Sequence, residues 1–238
     1  MSRLAVDIDS VAVIRNLFMD NVPDPAHLLV LAELGGAESI VCHFREDMKS
    51  VNDRDISIFR EIVKSHLNIR SNINGESVRK LLRIKPDMIT FVSSGEKNLL
   101  EAMSVNLHSH TDILSSLNAD LRANDITTSI LIDPDINEVK LAAKLEFDYV
   151  EIYSMNYTTA DDLDQQLAEL ENLNNLILAA NRLGMGVNIS GGINHENISD
   201  LAKISYLEDI IVGKSLVVKA LAIGFEQAVR DFINILYK

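Results

Sequence analysis

The chain has 238 residues, 22 basic against 35 acidic side chains, a formal net charge of −13 and a hydrophobic fraction of 47%. That acidity excludes a general nucleic-acid binder, which needs concentrated lysine and arginine against phosphate, and the single cysteine, Cys42, excludes an internal disulfide or a cysteine-rich metal site. No apolar run reaches the ~18 residues of a membrane span, and the N-terminal MSRLAVDIDS lacks the apolar stretch of a signal peptide, so a soluble cytoplasmic protein without membrane partners is expected.

Short apolar segments alternate with helical patterns along the chain. LAVDI from Leu4 is followed by a helix from Pro25 to Leu34, SIVCHF from Ser39 by Asp53 to Ser65, and LNIRSN from Leu67 by Gly75 to Leu82. MITFVS from Met88 precedes Leu107 to Ala123, TSILID from Thr128 precedes Asn137 to Leu145, and YVEIYS from Tyr149 precedes Ala160 to Leu183. GVNIS from Gly186 is followed by Asn197 to Lys203, and DIIVG from Asp209 by Leu216 to Tyr237. Most strand candidates are continuous apolar runs, the pattern of strands buried on both faces. Eight such units in a row predict an α/β fold: a (β/α)8 TIM barrel with extra helices, one domain over residues 1–238. The stretch from Gly95 to Asn124 is longer than a simple connection needs and leaves room for an added helix. In Thr158 to Asn175, leucines at 163, 167, 170 and 173 predict an amphipathic helix with an acidic solvated face.

In such barrels function sits at the C-terminal ends of the strands, and the loops after strands seven and eight often hold phosphate. Here those loops read Asn188-Ile189-Ser190-Gly191-Gly192-Ile193 and Ile211-Val212-Gly213-Lys214-Ser215. Glycines let backbone N–H groups approach an oxyanion, a following helix N-terminus adds donors, and Lys214 adds charge. Tight turns alone would also use these glycines, but their joint position predicts a phosphate site at Gly192, Gly213 and Lys214. Asp7 and Asp9, two residues apart, are expected on one strand face. Without a clear third ligand they do not predict a metal site. His27, His66, His108, His110 and His195 show no ligand spacing and are read as surface residues.

The pieces VDIDSVAVIRN, VPDP, GAESIVCHFREDMKSVNDRDI, LIDPD, YVEIY and LGMGVNISGG resemble the pyridoxine 5'-phosphate synthase family of vitamin B6 biosynthesis, nearly end to end and in order. The resemblance implies a barrel that assembles as an octamer, a homo-oligomer. It also implies a transferase-type condensation of 1-deoxyxylulose 5-phosphate with 3-amino-2-oxopropyl phosphate, without metal or organic cofactor. It implies a catalytic histidine at His43 and ligand-binding roles for Asp9, Arg45, Gly192 and Gly213, with Asp7 and Lys214 as substrate-binding candidates at positions where the family carries other residues. The family's catalytic glutamate falls on Arg70 and its second catalytic histidine on Gly191. An arginine cannot serve as a base, since its pKa lies above about 12, and glycine has no side chain. Asp9 and Arg15 match the family pattern, whereas Asp7, Ser10, Phe18 and Ser50 depart from it. Arg70 is expected to pair with Glu151 or Asp9, or to clamp an anion; Arg45 either binds an anion or pairs with a neighbouring acid such as Glu46 or Asp47.

Three readings stand open. In the first, a divergent homologue binds a phosphorylated small molecule with the family condensation impaired or changed, a pseudoenzyme candidate. In the second, an active synthase has relocated its acid–base groups. In the third, the chain is a non-catalytic binding or scaffolding subunit.

Overall fold

The computed structural model describes residues 2–94 and 102–237. The first half runs β1 (Arg3–Asp7), α1 (Asp9–Phe18), α2 (Pro25–Gly35), β2 (Ser39–Phe44), α3 (Asp53–Ile62), β3 (His66–Ser71), α4 (Gly75–Ile84) and β4 (Met88–Phe91). Two residue pairs, β5 (Ser93–Ser94) and β6 (Ala102–Met103), form a small antiparallel ribbon before α5 (Leu107–Arg122). Then come β7 (Thr127–Ile132), α6 (Ile136–Lys144), β8 (Tyr149–Tyr153), α7 (Met155–Thr158), α8 (Leu163–Arg182) and β9 (Gly186–Ser190). The chain closes with α9 (Ile198–Leu201), β10 (Leu207–Val212), α10 (Lys214–Ile223) and α11 (Phe225–Leu236).

Eight of these strands form a closed barrel in the order β1-β10-β9-β8-β7-β4-β3-β2, every pair parallel. Parallel strands with helices outside and side chains inside are buried on both faces, which is why they read as unbroken apolar runs; β2 is buried at all six positions. Helix starts follow their capping chemistry. Asp24 accepts from the Ala26 N–H ahead of Pro25, and Asn52 with Asp55 forms a reciprocal capping box on α3. Asp135 caps α6 through the Asn137 N–H, while Asp133 accepts from the Ser104 hydroxyl.

Several expectations need correction. Asp9 is not on a strand: β1 ends at Asp7 and Asp9 opens α1, a helix the apolar spacing does not announce. The last predicted helix is two, broken at Gly224, whose φ of 84° leaves the helical region. On α8 the leucine stripe meets the core only from its middle onward. Leu173 is buried, whereas Leu163 and Leu167 are 66% and 54% exposed. In the long segment after β4, the described residues hold the ribbon and α5, the ordinary barrel helix, and the expected addition falls partly on Gly95 to Glu101, which lie outside the described residues. His66 is half-buried rather than on the surface, with its Nδ1 lacking a hydrogen-bond partner.

Candidate functional site at the barrel mouth

At the floor of the mouth, Arg70 on β3 reaches across the barrel interior to two carboxylates. Its Nη1 donates to Asp7 Oδ2 at 2.7 Å and its Nη2 to Glu151 Oε1 at 2.6 Å, with Nε 3.4 Å from Glu151 Oε2. Arg70, Asp7 and Glu151 are 4%, 8% and 0% exposed. Glu151 also accepts from the Ser190 hydroxyl on β9. The expected pairing with Glu151 is present, but the second partner is Asp7 rather than Asp9. A guanidinium held between two carboxylates has most of its donors engaged, and the triad keeps a net charge of −1 when both acids are ionised.

Asp9 lies one step behind. Its backbone N–H donates to Asp7 Oδ1 at 2.9 Å, and its own Oδ1 accepts from the backbone N–H of His43 at 3.0 Å. Burial, followed by the charge of Asp7, pushes the Asp9 carboxyl well above the usual carboxylate range. Burial also raises Asp7, against the pull of Arg70. His43, at the C-terminal end of β2, has its Nε2 3.3 Å from Asn72 Oδ1. Burial and the nearby Arg70 charge lower its pKa to about 3, so the imidazole is neutral at physiological pH. Beyond β2, Arg45 makes a two-point pair with Asp47 at 3.0 and 2.9 Å, leaving its buried Nη1 without a partner. Of the residues that depart from the family pattern, Ser50 donates its hydroxyl to the His43 carbonyl, and Phe18 is exposed at the end of α1. Arg15 is tied to Asp55 at 2.7 Å, a buried pair joining α1 to α3.

Above Asp7 and Arg70 opens a cavity of about 360 Å³. Gly191, Gly192, Gly213 and Lys214 line it, together with Tyr153, Met155, Thr158, Ser190, Asn194 and Ser215. Gly191 and Gly192 both have positive φ, 105° and 68°, a conformation glycine adopts without steric cost. A side chain at 191 would also meet Tyr153, whose ring carbons lie 2.9 Å from the Cβ position, and Met155 at 3.3 Å. At Gly213, a Cβ would stand 3.2 Å from Asp7 Cβ, so the β10 loop passes tightly over the end of β1. Gly213 precedes α10, whose N-terminus has no side-chain cap. Lys214 is exposed to solvent and has no ion pair or hydrogen bond among the described residues.

The structure therefore brings Asp7, Arg70, Gly191, Gly192, Gly213 and Lys214 around one cavity and leaves Asp9, His43 and Arg45 outside its lining. Tyr153, Met155, Thr158 and Ser190 were not among the sequence candidates. Their signal was position alone, since each lies at or just beyond the C-terminal end of β8 or β9, where barrel sites are built. Among the described residues, no group of three histidine, cysteine or acidic side chains is arranged to hold a metal ion.

The profile of the family described as "Pyridoxal phosphate biosynthesis protein PdxJ" matches residues 4–238. The pyridoxine 5'-phosphate synthase of Geotalea daltonii is 35% identical over 235 residues, covering 99% of this chain and 98% of that protein. That of Pelobacter propionicus is 35% identical over 240 residues, with 99% of each covered. Among solved structures, KGPDC from Streptococcus mutans superposes with a TM-score of 0.66 at 12% identity, over 100% of this chain and 98% of that one. The tryptophan synthase A-subunit from Pyrococcus furiosus gives 0.63 at 15% identity, over 98% and 100%. These two likenesses bear on the barrel fold alone.

Proposed function

The chain belongs to the pyridoxine 5'-phosphate synthase family, and from that membership we propose a divergent member that binds a phosphorylated small molecule at the barrel mouth while the family condensation is impaired. The observation that carries this reading is Arg70, locked between Asp7 and Glu151 where the resemblance implies a catalytic glutamate. Proton transfer beside a carbonyl carbon needs a group that can take and return a proton near neutral pH. Arg70 stays a cation, and it occupies the two carboxylates that could otherwise work in its stead. Gly191 offers no proton carrier, and Tyr153 and Met155 fill the space one would need. His43 is neutral but a weak base, with its pKa near 3.

The opposite side of the mouth suits a phosphate group. Backbone N–H groups of the glycine loop and the uncapped start of α10 are available donors, and a helix N-terminus favours an anion. Lys214 supplies the charge. The ligand's remaining portion would lie over Asp7 and Arg70 in the cavity.

A second reading, an active synthase with relocated acid–base groups, is favoured by Asp7, a carboxyl that lines the cavity and that burial raises above its ordinary range. Calorimetric titration with 1-deoxyxylulose 5-phosphate, paired with an assay for pyridoxine 5'-phosphate from both substrates, separates the two. Saturable binding without product is the expected result. Steady product formation that disappears in Asp7→Asn supports the second reading, and absence of both binding and product contradicts each.

A further inference from the structure

The glycine loop after β9 is held by side chains in a regular way. The Ser190 carbonyl accepts from the Ser154 N–H at 2.7 Å, with the Ser154 hydroxyl oxygen 2.9 Å away and its one proton shared with the next carbonyl. The Gly191 carbonyl accepts from the Ser154 hydroxyl at 2.8 Å and the Thr158 hydroxyl at 3.2 Å. The Gly192 carbonyl accepts from the Asn197 side-chain amide at 3.2 Å. Three consecutive carbonyls are thus taken up by groups outside the loop.

A trans peptide carries its C=O and the following N–H on opposite sides. Fixing the carbonyls of residues 190, 191 and 192 therefore fixes the directions of the N–H groups of Gly191, Gly192 and Ile193. Without such partners, two adjacent residues at positive φ would have many orientations open to them, because glycine constrains its backbone little. Ser154 is 1% exposed, and Thr158 lies so close that a Cβ at Gly192 would stand 2.1 Å from its hydroxyl oxygen. The turn of α7 is thus packed onto the loop's backbone, and both loop and turn border the cavity.

We propose that Ser154 and Thr158 are positioning residues: their hydroxyls hold the glycine-loop carbonyls so that the N–H groups of Gly191, Gly192 and Ile193 form a preset cradle for phosphate. This rests on the phosphate-binding reading of the same site. Neither hydroxyl needs to touch the ligand. Their role is to keep the donors from reorganising when the anion arrives, the condition under which aligned dipoles act most strongly.

The test is thermal denaturation with inorganic phosphate titrated at constant ionic strength, for wild type, the Ser154→Ala/Thr158→Val double variant, Thr158→Val alone and Ser154→Thr. Wild type is expected to gain melting temperature saturably. The double variant should need about tenfold more phosphate for half-saturation, the loss expected when charge-assisted donors are mis-aimed. Ser154→Thr, which keeps the hydroxyl, should stay close to wild type. If the double variant does not fold, Thr158→Val carries the test, with an expected weakening of about threefold. A folded variant that melts earlier without phosphate yet binds it as tightly as wild type overturns the positioning role and leaves the phosphate site standing. No saturable effect in wild type overturns the phosphate reading itself.

Discussion

Around the mouth of this barrel, the side formed by β1, β2 and β3 carries charged side chains already paired with protein groups, whereas the β9 and β10 side carries glycine backbone and a lysine without an ion pair among the described residues. On the first side Arg70 meets Asp7 and, across the barrel, Glu151, while Arg45 meets Asp47. On the second, Gly191, Gly192 and Gly213 set the surface and Lys214 projects from it. On the proposed reading, the difference is what a catalytic scaffold changing in parts would leave. Chemistry carried by side chains is altered by single substitutions, and a cation in a carboxylate's place recruits the remaining acids as partners. Binding carried by backbone persists as long as the turn persists, because every residue but proline supplies the same N–H.

The comparison breaks most sharply at Arg70. Arg70→Met strands Asp7 and Glu151 as buried acids without their cation, and should cost about 3–5 kcal/mol in denaturant unfolding. Lys214→Met, on the open side, should stay within about 0.5 kcal/mol of wild type. Equal costs would mean that the floor triad is not the structural lock described.

Gly191→His comes next. It forces a side chain into positive φ against Tyr153 and Met155, with an expected loss of about 1–3 kcal/mol. Adding Tyr153→Ala should recover part of that loss, measured in the same denaturant experiment. Full tolerance of histidine at 191 would show that the space is not closed.

Titration sharpens the contrast further. Burial raises the folded-state pKa of Asp9 well above its ordinary value of 3.8, so the folded state holds the proton more tightly than the unfolded chain. Its stabilising contribution is fully present below 3.8 and is lost as pH rises through the folded pKa. Asp9→Asn should therefore flatten the decline of stability with rising pH. His43 works in the opposite sense. Its pKa falls from 6.5 to about 3, so its contribution is present above 6.5 and is lost as pH falls toward 3. His43→Gln should flatten the acid limb of the same curve. Unchanged slopes in both variants would contradict the burial argument.

The smallest effect is on binding alone. Lys214→Ala should weaken phosphate binding about threefold to tenfold, the scale of one solvent-facing charge-assisted contact, with stability unchanged. Unaltered binding would assign the phosphate to the backbone donors without help from the lysine.

The barrel was legible because doubly buried parallel strands leave unbroken apolar runs; DIIVG and SIVCHF coincide with β10 and β2 to within two residues. Helix α1 was not, since it buries Arg15 and exposes Leu17 and Phe18, the reverse of an amphipathic pattern. The break at Gly224 was hidden in a continuous apolar periodicity. Of the mouth, the position of the glycine loops could be read directly, because it follows chain order along the barrel. The triad could be read only in part. Residues 7, 70 and 151 meet across the barrel, and which acid faces Arg70 depends on the turn of α1 that carries Asp9 away. Tyr153 could not be read at all, because its significance lies in filling the space over a side chain that is absent.

On the proposed reading, the mouth binds a phosphorylated ligand while the family condensation is impaired. Phosphorus NMR of the purified protein with 1-deoxyxylulose 5-phosphate and 3-amino-2-oxopropyl phosphate follows both properties in one sample. Broadened substrate resonances without growth of inorganic phosphate or pyridoxine 5'-phosphate are predicted. Sharp substrate lines would contradict the binding half of the account, and steady growth of both products would contradict the catalytic half.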